Sequence, residues 1–529
     1  MFNRANKATA LLVAAAAVVS LVPATGVNAA DYKRIESKDG TVYSAQAYKD
    51  GSFVIDGNVK DGDTDAVYFL NEGKYTELED VDTGSDFGIY GEKYATVDTD
   101  AYFIDLTNGK VTDENLAEDN IDDVKVTLRS KIRKDNDDRY TDATAKALPG
   151  LNQMAGSNFG ETWYEANYDG NNVYTDAKGN YIDADYNVGK VKVAVTTGTS
   201  VETVTLNNTK DAEDFKTATN GKATVTVDNA NAEVIGQDSN NIYRTVRMTV
   251  SVDGNADISE INGMTVNATT TAFDVTNPKA VSFDVIQKIS KAQASDDIDG
   301  IKYAKSVTNY VVSNDKGVKG TKETLTGVTY SVVGGKVLAY DYDAAAKTVD
   351  VKTLDLKTSK GFYYTDVTEA DTEKDVKTLK VDVDGNLWAL ESGFVYKFDN
   401  DESWDKVYKV DGSMDQMSVY NKDNMVIWNE KDEVYSVIGA KEDTVEPEKP
   451  EVTTGWVQGT DGTWTFVKED GTKATGWAGV NGTWYFFNAA GIMQTGWIND
   501  NGTWYYTNAS GAMLTGWQNV NGTWYFMQG

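Results

Sequence analysis

Eight of the chain's twelve tryptophans fall between Trp456 and Trp524, in two interleaved ladders. Trp456, Trp477, Trp497 and Trp517 each follow a glycine, at spacings of 21, 20 and 20 residues; Trp464, Trp484, Trp504 and Trp524 each follow a threonine at intervals of 20. Ring faces are negative, so three aromatic walls around a gap make a cage for a cation, at about 0.5–2 kcal/mol per contact. A quaternary ammonium, which has no N–H to donate, suits such a cage. The competing use of the same rings is as the core of the repeat itself, and Phe466, Phe486, Tyr506 and Phe526 are assigned to it.

The elements that position these rings follow from the repeat. A fixed period of this size marks an array of like units. Each unit reads Gly-Trp, a short spacer, Asn-Gly or Asp-Gly, then Thr-Trp and further aromatics, and Asn-Gly between two such runs is a strong hairpin signal. With Asn481-Gly482 as a two-residue turn, Val480 faces Thr483, Gly479 faces Trp484 and Trp477 faces Phe486. Trp477, Trp484 and Phe486 then share one side, and Tyr485 and Phe487 point to the other. The first unit has one more residue between its tryptophans. A three-residue loop, Thr460-Asp461-Gly462, with glycine at the left-handed position, returns Trp456 to its place opposite Phe466 and beside Trp464. One hairpin cannot bury its aromatic faces. Successive hairpins should therefore stack as a solenoid, in which the two tryptophans of one unit meet the opposite-face tyrosine of the next.

The string Thr475-Gly476-Trp477-Ala478-Gly479-Val480-Asn481-Gly482-Thr483-Trp484-Tyr485-Phe486-Phe487-Asn488-Ala489-Ala490-Gly491-Ile492-Met493 resembles the choline-binding, or cell-wall-binding, repeat of Gram-positive surface proteins and phage lysins. The match covers residues 452–529. The resemblance implies that choline groups on teichoic acids sit between two tryptophans of one hairpin and an aromatic of the next, with a methionine nearby. No cofactor is expected, calcium being the one candidate. Carried over, the sites are Trp456, Trp464 and Tyr485; Trp477, Trp484, Tyr505 and Met493; and Trp497, Trp504, Tyr525 and Met513. The first departs from the pattern, because Gly471-Thr472-Lys473 stands where Gly491-Ile492-Met493 stands in the next unit, and Lys473 brings a positive charge to a cation site. Similar repeats bind α-glucans in streptococcal glucosyltransferases and host carbohydrate in clostridial toxins, so a glucan or another wall polysaccharide is the alternative ligand.

The rest of the chain bounds the function. Its 529 residues should hold more than one folded unit. The absence of cysteine and histidine removes disulfides, thiolate catalysis, cysteine–histidine zinc sites and imidazole chemistry. A formal charge of -32 opposes binding to nucleic acid. Arg4 and Lys7 precede an apolar run from Ala8 to Val22, and Val27 and Ala29 fill the small-residue slots of a cleavage site, so residues 1–29 read as a secretory signal peptide. The run is too short for a membrane anchor, and the mature chain is expected in the medium and on the wall, with no membrane partner. Residues 30–440 are acidic and carry strand-length alternating runs, such as 42–48, 101–106, 191–197 and 434–438, with no comparable helical periodicity. The expected fold class is therefore all-β. Strands every ten residues or so between Leu387 and Ile438 point to propeller blades of roughly 40–50 residues, seven or eight in the region. Consecutive β-sandwiches are the alternative, and residues 196–277 look most like one. Residues 441–453, with Pro447 and Pro450, read as an extended linker, and residues 454–529 as the repeats.

Catalytic chemistry is sparse. Asp382-Val383-Asp384-Gly385-Asn386 and Asp183-Ala184-Asp185-Tyr186-Asn187 have the alternate oxygen spacing of a calcium loop, but both lack its later glycine and terminal glutamate, and acidic residues at β-turns are ordinarily turn formers. Ser313-Asn314-Asp315-Lys316 matches the Ser-x-x-Lys of acyl-serine hydrolases without a Lys-Thr-Gly partner, and nothing selects a glycosidase carboxylate pair. The expectation is a secreted, non-catalytic surface protein whose repeats anchor a β-rich binding or structural domain. The alternative is a wall hydrolase or glycosidase delivered by the same anchor.

Overall fold

Short runs of alternating apolar and polar residues make strands with one face to bury, and each strand pairs with the next run along the chain. This computed structural model describes residues 32–528 other than 60–63, 100, 156–161, 217–219, 267–271, 314–324, 360–361, 440–454, 460–461, 469–471 and 481. The signal peptide and the linker expected at 441–453 lie outside the described residues. The chain divides into two units, Met1–Thr444 and Val445–Gly529.

The first unit is built of four-stranded groups. Thr41–Ala47, Phe53–Asn58, Ala66–Asn71 and Lys74–Glu77 form one antiparallel sheet; Phe87–Tyr90, Tyr94–Val97, Tyr102–Asp105 and Lys110–Thr112 form the second. A third contains Asn152–Gln153, Trp163–Tyr168, Asn171–Asp176 and Tyr181–Asp183. The fourth is Glu233–Gln237, Asn241–Val252, Ala280–Ser290 and Val307–Val311, and the fifth Thr329–Val333, Lys336–Asp343, Thr348–Ser359 and Phe362–Glu369; the two join at a parallel pairing of Val311 with Tyr364. The sixth is Thr378–Val381, Leu387–Glu391, Phe394–Phe398 and Trp404–Lys409. The seventh, Gln416–Asn421, Asn424–Asn429 and Val434–Ile438, takes its fourth strand, Lys38–Asp39, from the opposite end of the unit.

Each group buries a face against its neighbour. Val54 and Phe69 pack with Ala95 and Ile104, joining groups one and two. Phe53 and Ile55 meet Val426 and Tyr435 of group seven, and Met417 and Ile427 meet Leu390 and Val395 of group six. Leu387 and Phe398 meet Leu338 and Val349 of group five; Val337 and Leu354 meet Tyr243 and Ile286 of group four; Ile242 and Ile289 meet Trp163 and Tyr174 of group three. Group three touches group two through Tyr164, whose phenol burial and the hydrogen-bonded Tyr90 push up to about 12. The sandwich expected for residues 196–277 is present, with wider bounds. Val191, Val193, Val195 and Leu206 of one sheet pack on Val225, Met248, Val250 and Phe283 of another.

The fold is all-β apart from short helical segments, and one helix departs from expectation. Leu116–Asp135 is an α-helix, α1, capped by the Asn115 side chain accepting from Glu118 N. It buries only Ala117, Val124, Leu128 and Ile132, a stripe too narrow to stand out in so charged a segment.

A buried arginine ties groups three and four together. Arg244 is fully buried, donates from Nε to Gln287 Oε1 (2.8 Å) and from Nη1 to Tyr174 Oη (3.2 Å), and pairs through Nη2 with Asp185 (2.8 Å). Gln287 passes the network on to Asn309 (2.8 Å), which donates to the Val188 carbonyl (2.6 Å). Burial raises the Asp185 carboxyl above its usual range, with the Arg244 charge opposing. Removing one partner of such a pair strands the other charge, at a cost of about 3–5 kcal/mol. Asp185→Ala should accordingly lower the urea midpoint of the first unit, measured by far-UV circular dichroism, whereas an unchanged midpoint would show that Arg244 needs no counter-ion.

Candidate functional site

Local sequence sets each hairpin of the second unit. Gly476–Val480 pairs with Thr483–Phe487, placing Trp477 opposite Phe486, Gly479 opposite Trp484 and Val480 opposite Thr483, and Gly496–Asp500 with Thr503–Thr507 and Gly516–Val520 with Thr523–Met527 repeat this register. In the last two turns both central residues have positive φ, 50° and 91° at Asn501-Gly502 and 50° and 87° at Asn521-Gly522, as two-residue hairpin turns require. The first hairpin, Gly455–Gln458 with Trp464–Val467, has the longer loop expected of it. Trp456 faces Phe466, Gly459 N donates to Thr463 O (2.8 Å), and Gly462 has φ 81°. Thr460 and Asp461 of that loop, and Asn481 of the next turn, lie outside the described residues.

Adjacent hairpins are tied through their backbones. Met493 N donates to Trp464 O (2.7 Å) and Met513 N to Trp484 O (2.9 Å), while Gln494 N and Leu514 N bond to Phe486 O and Tyr506 O within their own units. The buried row is Phe487, Thr507 and Met527, joined by Ala474, Val480, Ile498 and Val520. This corrects the assignment of Phe466, Phe486, Tyr506 and Phe526 to the core. The first three are only part-buried, and Phe526 is 58% exposed. They line the tryptophan side instead, with Trp456–Phe466, Trp477–Phe486, Trp497–Tyr506 and Trp517–Phe526 at 5.0–5.4 Å between ring centres. A single unit shows two apolar rows; only the neighbouring hairpin decides which one is covered.

Most of the rings expected to converge do so, but among the described residues no ring contact joins Trp484 to Trp477 or Tyr505. Trp456 lies 6.4 Å from Trp464 and 4.7 Å from Tyr485 of the next hairpin. Trp477 lies 4.8 Å from Tyr505, and Trp497 lies 6.3 Å from Trp504 and 4.8 Å from Tyr525. Interplanar angles in these pairs run from 63° to 83°, so the rings form corners rather than stacks. Trp484 is 51% exposed and Trp504 58%. The backbone of Met493 is bonded to Trp464 and that of Met513 to Trp484, so each methionine is tied to the hairpin before the one to which it was assigned. These bonds fix the backbones alone; the Met493 side chain lies against Gly511. Lys473 occupies the same bridge position relative to its own hairpin as Met493 and Met513 do to theirs.

The other candidates carry structural work. The Asp382 carboxylate accepts from Asp384 N, Asn386 N and Nδ2 and Trp388 Nε1. Asp183 accepts from Asp185 N, Tyr186 N, Tyr140 Oη and Arg139 Nε. Among the described residues no group of three or more acidic side chains could hold a metal ion. Ser313 is buried, and Asn314, Asp315 and Lys316 lie outside the described residues.

The family models match the repeats alone. The family model for the choline-binding repeat matches residues 474–515, and that for a cell wall binding repeat matches 515–529. Among solved structures, the choline binding domain of a Streptococcus pneumoniae protein aligns at 47% identity over 12% of this chain and 96% of that one, with a TM-score of 0.11. The cell wall endolysin of the pneumococcal phage Cp-1, solved with choline, aligns at 34% identity over 18% of this chain and 28% of its own length, TM-score 0.14. Choline binding protein F of Streptococcus pneumoniae aligns at 22% identity over 50% of this chain and 78% of its own, also at 0.14. None superposes on the chain as a whole, and no curated protein matches it.

The burial pattern separates structure from site. Phe487→Ala should destabilise the repeats by about 3–5 kcal/mol, and Trp504→Ala by no more than about 0.5 kcal/mol, in thermal unfolding followed by near-ultraviolet circular dichroism. Equal losses would make Trp504 a core residue.

Proposed function

We propose, from the premise that residues 474–529 belong to the choline-binding repeats, that the protein is secreted and held at a Gram-positive cell wall by choline on teichoic acids, where it displays a non-catalytic β-rich unit. The observation that carries this is the recurrence of one geometry. In three successive places a tryptophan meets the tyrosine of the next hairpin at 4.7–4.8 Å, and at the first and third a second tryptophan of its own hairpin lies 6.3–6.4 Å from it. Ring faces held at a corner attract a quaternary ammonium without offering it a hydrogen bond.

One such site should bind choline in the millimolar range, about −4 kcal/mol. Neighbouring sites on one array, meeting many cholines on one polymer, make later contacts intramolecular and raise avidity by roughly 10²–10⁴. In this reading the seven four-stranded groups of the first unit are blades of a propeller. Their sequential face packing and the completion of the last group by Lys38–Asp39 support that arrangement. The lack of histidine and cysteine favours display over catalysis.

Trp484→Ala combined with Trp504→Ala should abolish retention on a choline or quaternary-amine resin and leave unfolding of the first unit unchanged. Elution of this variant at the parent's choline concentration would make a glucan the better ligand. In its host the parent should be found in wall and medium, released from the wall by excess choline, and should give no lysis band in a zymogram of choline-containing walls. A clear band would establish a hydrolase.

A further inference from the structure

In a chain with 82 acidic residues against 50 basic ones, exposed cations tend to find carboxylates, as Lys49, Lys125, Lys357 and Arg247 do. Arg34, Lys406 and Lys409 are different: among the described residues none of the three is in an ion pair, yet they stand together. The strands of group six put them there. Phe394–Phe398 runs antiparallel to Trp404–Lys409, with Phe394 opposite Lys409 and Tyr396 opposite Lys406, and Lys33–Arg34 pairs on the far side with Arg34 beside Lys409. Both ammonium groups lie over one ring, Phe394, at 4.4 Å for Lys406 and 4.0 Å for Lys409, and Lys406 is also 5.7 Å from Tyr396. Tyr32 packs edge-on against Phe394 at 5.2 Å. Burial and the like charges of Arg34 and Lys406 lower the proton affinity of Lys409, opposed by Asp411; Glu373 and Glu391 act on Tyr396.

Cations gathered on an aromatic platform without a counter-ion repel one another, and an anion relieves that repulsion. We propose that Arg34, Lys406 and Lys409 form an anion site on the first unit that takes phosphate groups of a phosphodiester polymer. The cations are spread along one strand and across to the next, a row rather than a pocket, which suits successive charges on an extended chain more than one small ion. Arginine supplies a bidentate fork for a phosphate, and the lysines act as point charges. This contact would be independent of choline and would be made by the other unit of the protein.

The test uses the full-length protein with its repeats saturated by free choline, titrated by calorimetry with choline-free poly(glycerol phosphate). Because choline is in excess throughout, the outcome does not depend on whether the repeats bind it; that is read separately on the choline resin. The parent should bind, and the affinity should fall with added salt. Lys406→Gln with Lys409→Gln should weaken binding at least tenfold, and Arg34→Gln, on an exposed side chain, several-fold. Lys397→Gln, on the other face of its strand, should stay within twofold, with far-ultraviolet circular dichroism reporting that each variant is folded. No binding by the parent, or a folded double variant within twofold of it, would overturn the proposal. So would binding to phosphatidylglycerol vesicles in place of the polymer.

Discussion

A two-stranded hairpin with apolar side chains on both faces is marginal in water by itself, and it persists here because another hairpin covers one of those faces. In the C-terminal unit that cover is made by a tryptophan of one hairpin against a tyrosine of the next, at 4.7–4.8 Å, and by backbone bonds from Met493 to Trp464 and from Met513 to Trp484. The contact that makes the array stable is thus also the one that brings aromatic rings from two hairpins to a common corner. The site and the scaffold share their rings, and the half-exposed Trp484 and Trp504 are what stacking leaves uncovered.

The first unit meets the same requirement on a larger scale. Most groups of four strands bury a face against the next, groups two and three meet through Tyr164 and Tyr90, and strand Lys38–Asp39 lets the last group use residues from the opposite end of the unit. Within this stack the titratable groups mostly hold the chain in place. Asp382 folds its own turn and meets Trp388, and Asp185 neutralises the fully buried Arg244. The cations around Phe394 are the exception, because among the described residues none of the three is in an ion pair.

How much of this was legible in the sequence follows the range of the interactions. The hairpins were legible to the residue, including the longer first loop, because Asn-Gly or Asp-Gly and the spacing of the tryptophans are local signals. The meeting of Trp456 with Tyr485 was legible from period and alternation. The covered row was not, since Phe486 and Phe487 are equally apolar and only the neighbouring hairpin chooses Phe487. The backbone bond of Met493 was hidden for a related reason: the residue follows the second hairpin in sequence but bonds to the first. In the first unit, the helix α1 hid behind a four-residue stripe in a charged segment, and the side-chain partners of Arg244 lie 43 to 70 positions from it, where no local pattern connects them.

The central claim is that ring faces at the hairpin junctions bind a cation for its charge and its lack of N–H donors. Near-ultraviolet circular dichroism of the full-length protein reports the tryptophans directly. Titration with choline should give a saturable change in the tryptophan bands at millimolar concentration, and titration with 3,3-dimethylbutan-1-ol, the uncharged isostere of the same shape, should give none. Equal responses to the two, or no response to choline, would contradict the account.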